Sequence, residues 1–310
     1  MSSADQHAER FTLLRPLLFT IAYEILGSAT ESDDVLQDSY LRWAQVDLTT
    51  VRDTKSFLAQ LVTRQALNAL RARVRRREDY VGPWLPEPLL LIEHDAAADI
   101  VLAESVSMGM LVLLETLTPD ERAVFVLREV FGFGYDDIAT AVGKSATAVR
   151  QMAYRAREYV RARRNRFGPI DAAHTAELTE RFMAAATTGD MAGLLSMLAP
   201  DVTWTTDSGG KATAVRQLVM TGAKQVATIL TTLLRPIQRR PDTRIEPMIC
   251  NSEPAVAIYS GDRLEAVLVL EIADGMVING YAIRNPDKLA ALASARAITR
   301  NPGIPSPLQE

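Results

Sequence analysis

The side chains able to do chemistry in this chain are arranged for binding rather than catalysis. From Lys144 to Arg166 there are eight Lys/Arg against one acid, Glu158. Among them Lys144, Ser145, Arg150, Gln151, Arg155 and Arg157 are types that contact phosphates and base edges. A second basic run, with Arg64, Asn68, Arg71 and Arg73, lies near residue 70. The three histidines, His7, His94 and His174, all precede residue 200, and no acid/base pair is visible beyond it. Tyr259 and Tyr281 fall on predicted strands, where half-buried strand aromatics are the simpler reading than catalytic phenols. No catalytic residue, metal site or cofactor is read, and the chain is not expected to be an enzyme.

The elements that must position the first group are three helices. Pro119 opens one, with Asp120 and Glu121 in its first turn, where carboxylates suit the helix dipole. Val124, Leu127 and Val130 follow at helical spacing, and Gly132 and Gly134 end it. Asp136–Val142 form a short second helix. Gly143 and Lys144 turn the chain, and Ser145 is placed to cap a third, basic helix. Helix, glycine turn and basic helix are the parts of a helix-turn-helix whose second helix enters the major groove.

The net charge of −4 hides alternating blocks: −5 over residues 1–53, +5 over 54–80, −6 over 81–118, −3 over 119–143, +7 over 144–170 and −2 thereafter. Two basic islands in an acidic chain imply two separate grips on DNA. The first belongs to a helix over 55–77, with Phe57, Leu58, Leu61, Val62, Leu67 and Leu70 inside. Helices over 11–26 and 31–46 precede it, the latter exposing Asp33, Asp34, Gln37 and Asp38. Cys250, the one cysteine, excludes an intrachain disulfide framework and fits a reducing compartment. No signal pattern or bilayer-length apolar run is present, so a cytoplasmic location without membrane contact is expected.

DDVLQDSYLRWAQ (33–45) and SFLAQLVTRQALNALRARVRR (56–76) resemble the second conserved region of bacterial sigma factors, and LTPDERAVFVLREVFGFGYDDIATAVGKSATAVRQMAYRAREYVR (117–161) resembles the fourth. With nothing resembling the regions before or between, this is the pattern of the extracytoplasmic-function group. The resemblance implies that Asp33, Asp34, Gln37 and Asp38 dock on RNA polymerase core. It implies that Arg64, Asn68, Arg71 and Arg73 face the melted −10 element. The helix from Ser145 would read −35 promoter DNA, with Arg150, Gln151 and Arg155 reaching bases and Lys144, Arg157 and Arg161 phosphates.

Residues 80–90, YVGPWLPEPLL, place Pro83, Pro86 and Pro88 where no helix interior can run. Trp84 and Leu85 are costly to leave in water, so this linker is expected to dock. WLPEP resembles the linker of the subgroup that carries a C-terminal SnoaL-like domain. After Phe167-Gly168-Pro169 the pattern changes to helices over 172–187 and 190–198. A short strand over 202–206, a helix over 222–234, and strands over 245–249, 255–259, 264–272 and 276–283 follow. A closing helix over 285–299 ends the series. Asp274-Gly275 marks a hairpin. Helices followed by an antiparallel sheet make an α+β domain, and the order resembles the SnoaL-like, ketosteroid-isomerase-like (NTF2-like) cone. Such a cone leaves a pocket, here expected to take a small-molecule ligand. Two subgroup motifs are located, DSGGK (207–211, with Ser208 at a usual glycine) and NPDKL (285–289). Trp84, Leu85, Pro86, Asp207, Gly209, Gly210, Lys211, Asn285, Pro286 and Asp287 are the expected regulatory contacts.

The expected organisation is thus multidomain. Two all-α sigma domains, a region 2 helical bundle (1–78) and a region 4 helix-turn-helix (99–166), flank a Pro-rich linker (79–98). The SnoaL-like domain (171–300) and a disordered tail (301–310) follow. The implied function is promoter-directed transcription initiation, modulated by the fused domain. A one-component helix-turn-helix regulator with a ligand-binding domain is the alternative, and it leaves the acidic helix and first basic island unexplained. A fused cyclase or isomerase is a third class, for which the strands offer no histidine.

Overall fold

The computed structural model describes residues 3–76, 80–92, 99–163, 172–211, 219–236, 240 and 242–300. The expected tail and His94 lie outside these residues, as do parts of the expected linker and domain junctions.

Helix α1 (Ser3–Leu26) buries Phe11, Leu14, Leu17, Leu18, Ile21 and Ile25 on one side. It starts earlier than the periodicity predicts, and Pro16 sits inside it. Gly27, at φ +66°, ends it, and Ser28 caps α2 (Ala29–Trp43) by accepting from Glu31 N–H at 3.1 Å. Helix α3 (Thr54–Arg76) completes the first bundle. Helices α4 (Ile100–Ser105) and α5 (Met108–Leu114) precede the helix-turn-helix. In α6 (Pro119–Phe125), Thr118 and Glu121 form a reciprocal capping box, and the helix widens into a π turn over Val126–Val130. Gly143, at φ +71°, closes α7 (Tyr135–Val142) in the left-handed conformation that favours glycine. Ser145 Oγ then accepts from Ala148 N–H at the start of α8 (Ala146–Arg163).

The last domain has α9 (Ala172–Thr188), α10 (Met191–Met197), β1 (Leu198–Asp207), β2 (Val219–Thr221) and α11 (Ala223–Leu234). Strands β3 (Thr243–Cys250), β4 (Glu253–Ser260), β5 (Arg263–Ala273) and β6 (Met276–Ile283) follow, then α12 (Pro286–Leu289). Strand order is β2-β1-β6-β5-β4-β3. The sheet is mixed rather than antiparallel: β1 and β6 run parallel, with Trp204 opposite Gly280 and Asp207 opposite Ile283. The chain reaches β6 only after α11 and four strands, and so joins β1 without a hairpin. Strand β1 is also longer than the predicted 202–206, because its first residues pair with β6 at Val277.

The predicted closing helix over 285–299 is corrected as well. Only Pro286–Leu289 is α-helical, a short 3-10 turn follows over Ala290–Ala293, and the chain then extends. There Arg296 pairs with the linker, its N–H donating to Leu90 O and its carbonyl accepting from Ile92 N–H. The segment satisfies its backbone against the linker instead of within a helix.

The core explains the layering. One face of the sheet packs Val202, Trp204, Ile258, Leu268 and Leu270 against Leu178, Phe182, Leu194, Val226 and Leu230 of the three helices. The other face packs Val267, Val269, Tyr281 and Ile283 against Leu85 of the linker and Met108 of α5. Burial on both sides is why β4 and β5 read as nearly continuous apolar runs rather than alternating ones. The two sigma-like modules, expected as separate domains, share one continuous core. Leu18, Ile21, Leu58 and Leu67 from α1 and α3 join Leu111, Val124, Ile138 and Val149, with Leu89 of the linker and Ile298 of the last segment.

Candidate nucleic-acid interface and the junction that closes it

The recognition-helix candidates form an open face. Arg150, Gln151, Tyr154, Arg155 and Arg157 are exposed on α8, with Val149, Met152, Ala153 and Ala156 turned inward. Lys144 and Ser145 lie exposed at the start of that face. Tyr154, 60% exposed between the arginines, was absent from the sequence-based set; the aromatic offers the signal that could have found it.

The candidates on α3 divide. Arg64 and Asn68 are exposed, but Arg64 already donates to Thr140 O of α7 at 3.2 Å. Arg71 and Arg73, expected to face outward, are half-buried. Arg71 pairs with Asp120 of α6 at 2.5 Å, and Lys144 pairs with the other oxygen of the same carboxylate at 2.9 Å. Arg73 bonds Glu31 and Glu115 and stacks on Trp84 at 4.5 Å. On α8, Arg155 lies 3.6 Å from Glu121 and Arg157 3.7 Å from Glu129. Acids on α6 and its continuation thus face cations of both basic islands, with Asp120 touching one from each. Its two cations hold the Asp120 carboxyl below the usual carboxylate range, against the opposing effect of burial. Helix propensity and period show which residues lie on one face of a helix; they do not show that α6 and α7 cover α3.

On α2, Asp34, Gln37 and Asp38 are exposed as expected. Asp33 is taken by Arg15 at 3.0 Å and by Arg296 of the last extended segment at 2.8 Å.

The regulatory set converges on Asp207, which is fully buried. Its Oδ1 accepts from the Tyr80 hydroxyl at 2.7 Å and from Gly209 N–H at 3.0 Å. Its Oδ2 accepts from Leu85 N–H at 2.8 Å and from Lys288 Nζ at 2.6 Å. Lys288 also donates to Leu85 O and lies over the Trp84 ring at 4.1 Å. Burial pulls the Lys288 ammonium down to about 8, with Asp207 opposing the shift. Asn285 caps α12 and donates to the Tyr80 hydroxyl. A Cβ on Gly209 would lie 2.4 Å from the Asn285 amide, so this glycine is needed for close approach as well as for its φ of +54°. Lys211 and Asp287 pair at the exposed rim, Gly210 lies against Val81, and Pro286 opens α12.

The linker is pinned on its other side too. Glu87 accepts from Ser28 Oγ at 2.8 Å and from Thr30 N–H at 3.0 Å, and Pro86 and Leu89 are buried around it. Asn251, fully buried at the β3–β4 turn with φ +55°, accepts from Leu89 N–H and donates to the Tyr23 hydroxyl and to Val106 O. Tyr80, Glu87, Asn251 and Lys288 were outside the sequence-based set. Glu87 and Lys288 lie inside motifs already singled out, and Asn251-Ser252 reads as a turn, a type of residue pair that tolerates positive φ.

On the helix-covered side of the sheet, the described residues pack a core around Trp204. Its indole lies on Gly280 and stacks on Phe182 with ring centres 6.3 Å apart. A crevice of about 270 Å³ lies on the opposite face, between α5 and Thr203, Thr205, Glu271, Asn279 and Tyr281. Tyr281 lines it and donates to Glu271, while Tyr259 stays half-buried under Arg244.

Residues 11–76 match the family model described as Sigma-70 region 2, and residues 108–160 match Sigma-70, region 4. The chain is 36% identical over 290 residues to the ECF RNA polymerase sigma factor SigJ of Mycobacterium tuberculosis, covering 90% of this chain and 91% of that one. It belongs to the extracytoplasmic-function RNA polymerase sigma factors. A probable ECF RNA polymerase sigma factor, SigI of the same species, is 28% identical, with 94% of this chain and 98% of that one covered. The crystal structure of the M. tuberculosis sigma factor SigJ superposes with a TM-score of 0.71 at 31% identity, over 92% of this chain and 99% of that chain. In this sigma factor the two helical regions are followed by an α+β domain with a six-stranded mixed sheet. Among the described residues no helix is long and apolar enough to cross a membrane.

Proposed function

We propose that this sigma factor brings RNA polymerase core to promoters in the cytoplasm and that its C-terminal domain governs it by holding both DNA-reading regions in a closed arrangement. The observation that carries this reading is the Asp120 carboxylate, shared by Arg71 of the −10 region and Lys144 of the −35 region. Two surfaces that must reach separate promoter elements are here tied to one acid and to one core.

In the open form Arg64, Asn68, Arg71 and Arg73 would line the cationic groove for melted −10 DNA. Arg150, Gln151 and Arg155 would read −35 base edges, and Lys144, Arg157 and Arg161 would contact phosphates, with Ser145 at the start of that helix. Asp34, Gln37 and Asp38 would meet polymerase, with Asp33 joining them once Arg296 withdraws. The expected domain limits are retained as part of this proposal. The C-terminal domain acts through the linker, because Asp207, Lys288 and Asn251 bond the linker backbone itself. Run-off transcription with core polymerase tests the reading, comparing the full chain with its Asp207→Ala variant. Core-dependent initiation that rises in the variant supports it. A chain that shifts duplex DNA but never binds core polymerase would be a one-component regulator instead.

A further inference from the structure

The turn between α4 and α5 is gripped from two sides by carboxyl groups of other domains. Ser105 Oγ donates to Glu24 of α1 at 2.8 Å. Met108 N–H donates to Glu253, at the start of β4, at 2.6 Å. Between these contacts Asn251 Nδ2 donates to Val106 O. Glu24 and Asn251 are fully buried and Glu253 is 4% exposed. The second oxygen of each acid, Oε2 of Glu24 and Oε1 of Glu253, is buried with no hydrogen-bond partner.

The surroundings suit the neutral form of both acids. Glu24 faces Arg122, Arg300 and Asp99. Arg122 opposes the neutral form, with its Nη2 buried and unbonded, yet its Nε donates to the main-chain oxygen of Glu24, its Nη1 bonds Glu115, and Arg300 pairs with Asp99. Glu253 faces Glu271, Cys250, Tyr281 and the amides of Met108 and Gly109, with Arg163 of α8 reaching the crevice beside Glu271. A carboxylate with one oxygen dry and unpaired is far costlier than a carboxylic acid in the same place. Burial accordingly pushes Glu24 up to about 8 and Glu253 well above the usual carboxylate range.

We propose that Glu24 and Glu253 form a proton-dependent latch: protonated, they clamp the α4–α5 turn between the first region and the C-terminal domain, and loss of their protons drives the domains apart. It rests on the reading of this closed arrangement as one of two states. Each acid binds its proton more tightly closed than open, so closing takes up protons. The closed form is favoured at low pH and is lost as pH rises from the ordinary carboxylate range, through about 8 for Glu24 and beyond for Glu253. Inside that window each acid lowers the closed-to-open ratio by up to about tenfold per pH unit. Rising pH is therefore an activating signal for this sigma factor.

Cys250, fully buried beside Asn251, is a built-in reporter. Labelling of the full chain by dithiodipyridine, relative to the urea-unfolded chain at the same pH, gives its protection. Measured from about pH 5.5 to 7.5, below the range of Lys288, protection should fall by up to about 100-fold per unit, ten for each acid. E24Q and E253Q, which mimic the neutral acids, should each cut the slope to about tenfold, and the double variant should be flat and protected. E24Q is the decisive variant, because it lies in a different domain from the thiol and fraying of the β3–β4 hairpin would not feel it. An unchanged slope in E24Q overturns the latch while leaving two states. Labelling that coincides at every pH with global unfolding by circular dichroism overturns the two-state reading itself.

Discussion

Asp207 and Lys288 meet in a site 0% and 6% exposed, where each is the other's countercharge. Replacing Asp207 by Ala removes the acceptor for Tyr80, Leu85 N–H, Gly209 N–H and Lys288 together. Breaking a buried pair from one side costs roughly 3–5 kcal/mol, because the remaining charge stays uncompensated. Lys288→Met leaves Asp207 with three donors, so roughly 1–3 kcal/mol is expected, near the cost of one hydrogen bond to a charged group. In the double variant no charge is stranded, and the two losses should fall short of additive by at least about 1.5 kcal/mol. The assay is hydrogen exchange of the linker peptide Tyr80–Leu89, whose Leu85 and Leu89 amides are held by Asp207 and Asn251. At about 1.4 kcal/mol per tenfold, Asp207→Ala should speed exchange of Leu85 by at least about 100-fold. Additivity within about 0.5 kcal/mol would refute the claim that the pair acts as a unit.

Asp120→Asn frees Arg71 and Lys144. Each partly exposed pair is worth about 0.2–1 kcal/mol, so with both released promoter binding by the full chain should tighten by roughly 2- to 30-fold in fluorescence anisotropy; weaker binding would contradict the shared-carboxylate reading. Arg150→Ala should cost about 1–3 kcal/mol against the cognate −35 duplex and relax preference at one base, whereas Lys144→Ala should lower the salt slope by about 1 without changing preference. Gly280→Ala would place a Cβ 2.1 Å from the Trp204 ring, and the overpacked core should lose roughly 1–3 kcal/mol in urea unfolding, with Gly280→Ser no better.

Local rules carried far in this chain. Helix-start residues and glycine turns placed the helix-turn-helix within a residue or two, since Pro119, Gly143 and Ser145 act through contacts no more than a few positions away. Charge blocks located both basic islands, and proline spacing located a linker that could not be helical. The motifs also named Asp207 and Asn285 as contacts. What local rules could not supply was partnership across the chain. Pairing of β1 with β6 spans α11 and four strands, so nothing near residue 202 reports it. The extended path of 294–300 depends on the edge that Leu90 and Ile92 offer it. Asn251 looks like an ordinary turn residue until Leu89, Tyr23 and Val106 converge on it. The sequence alone thus determines which residues are candidates for contact with DNA and polymerase. Whether those residues are free or already occupied is decided only by tertiary structure, because Asp120 becomes the partner of Arg71 and Lys144 only when α6 packs across α3.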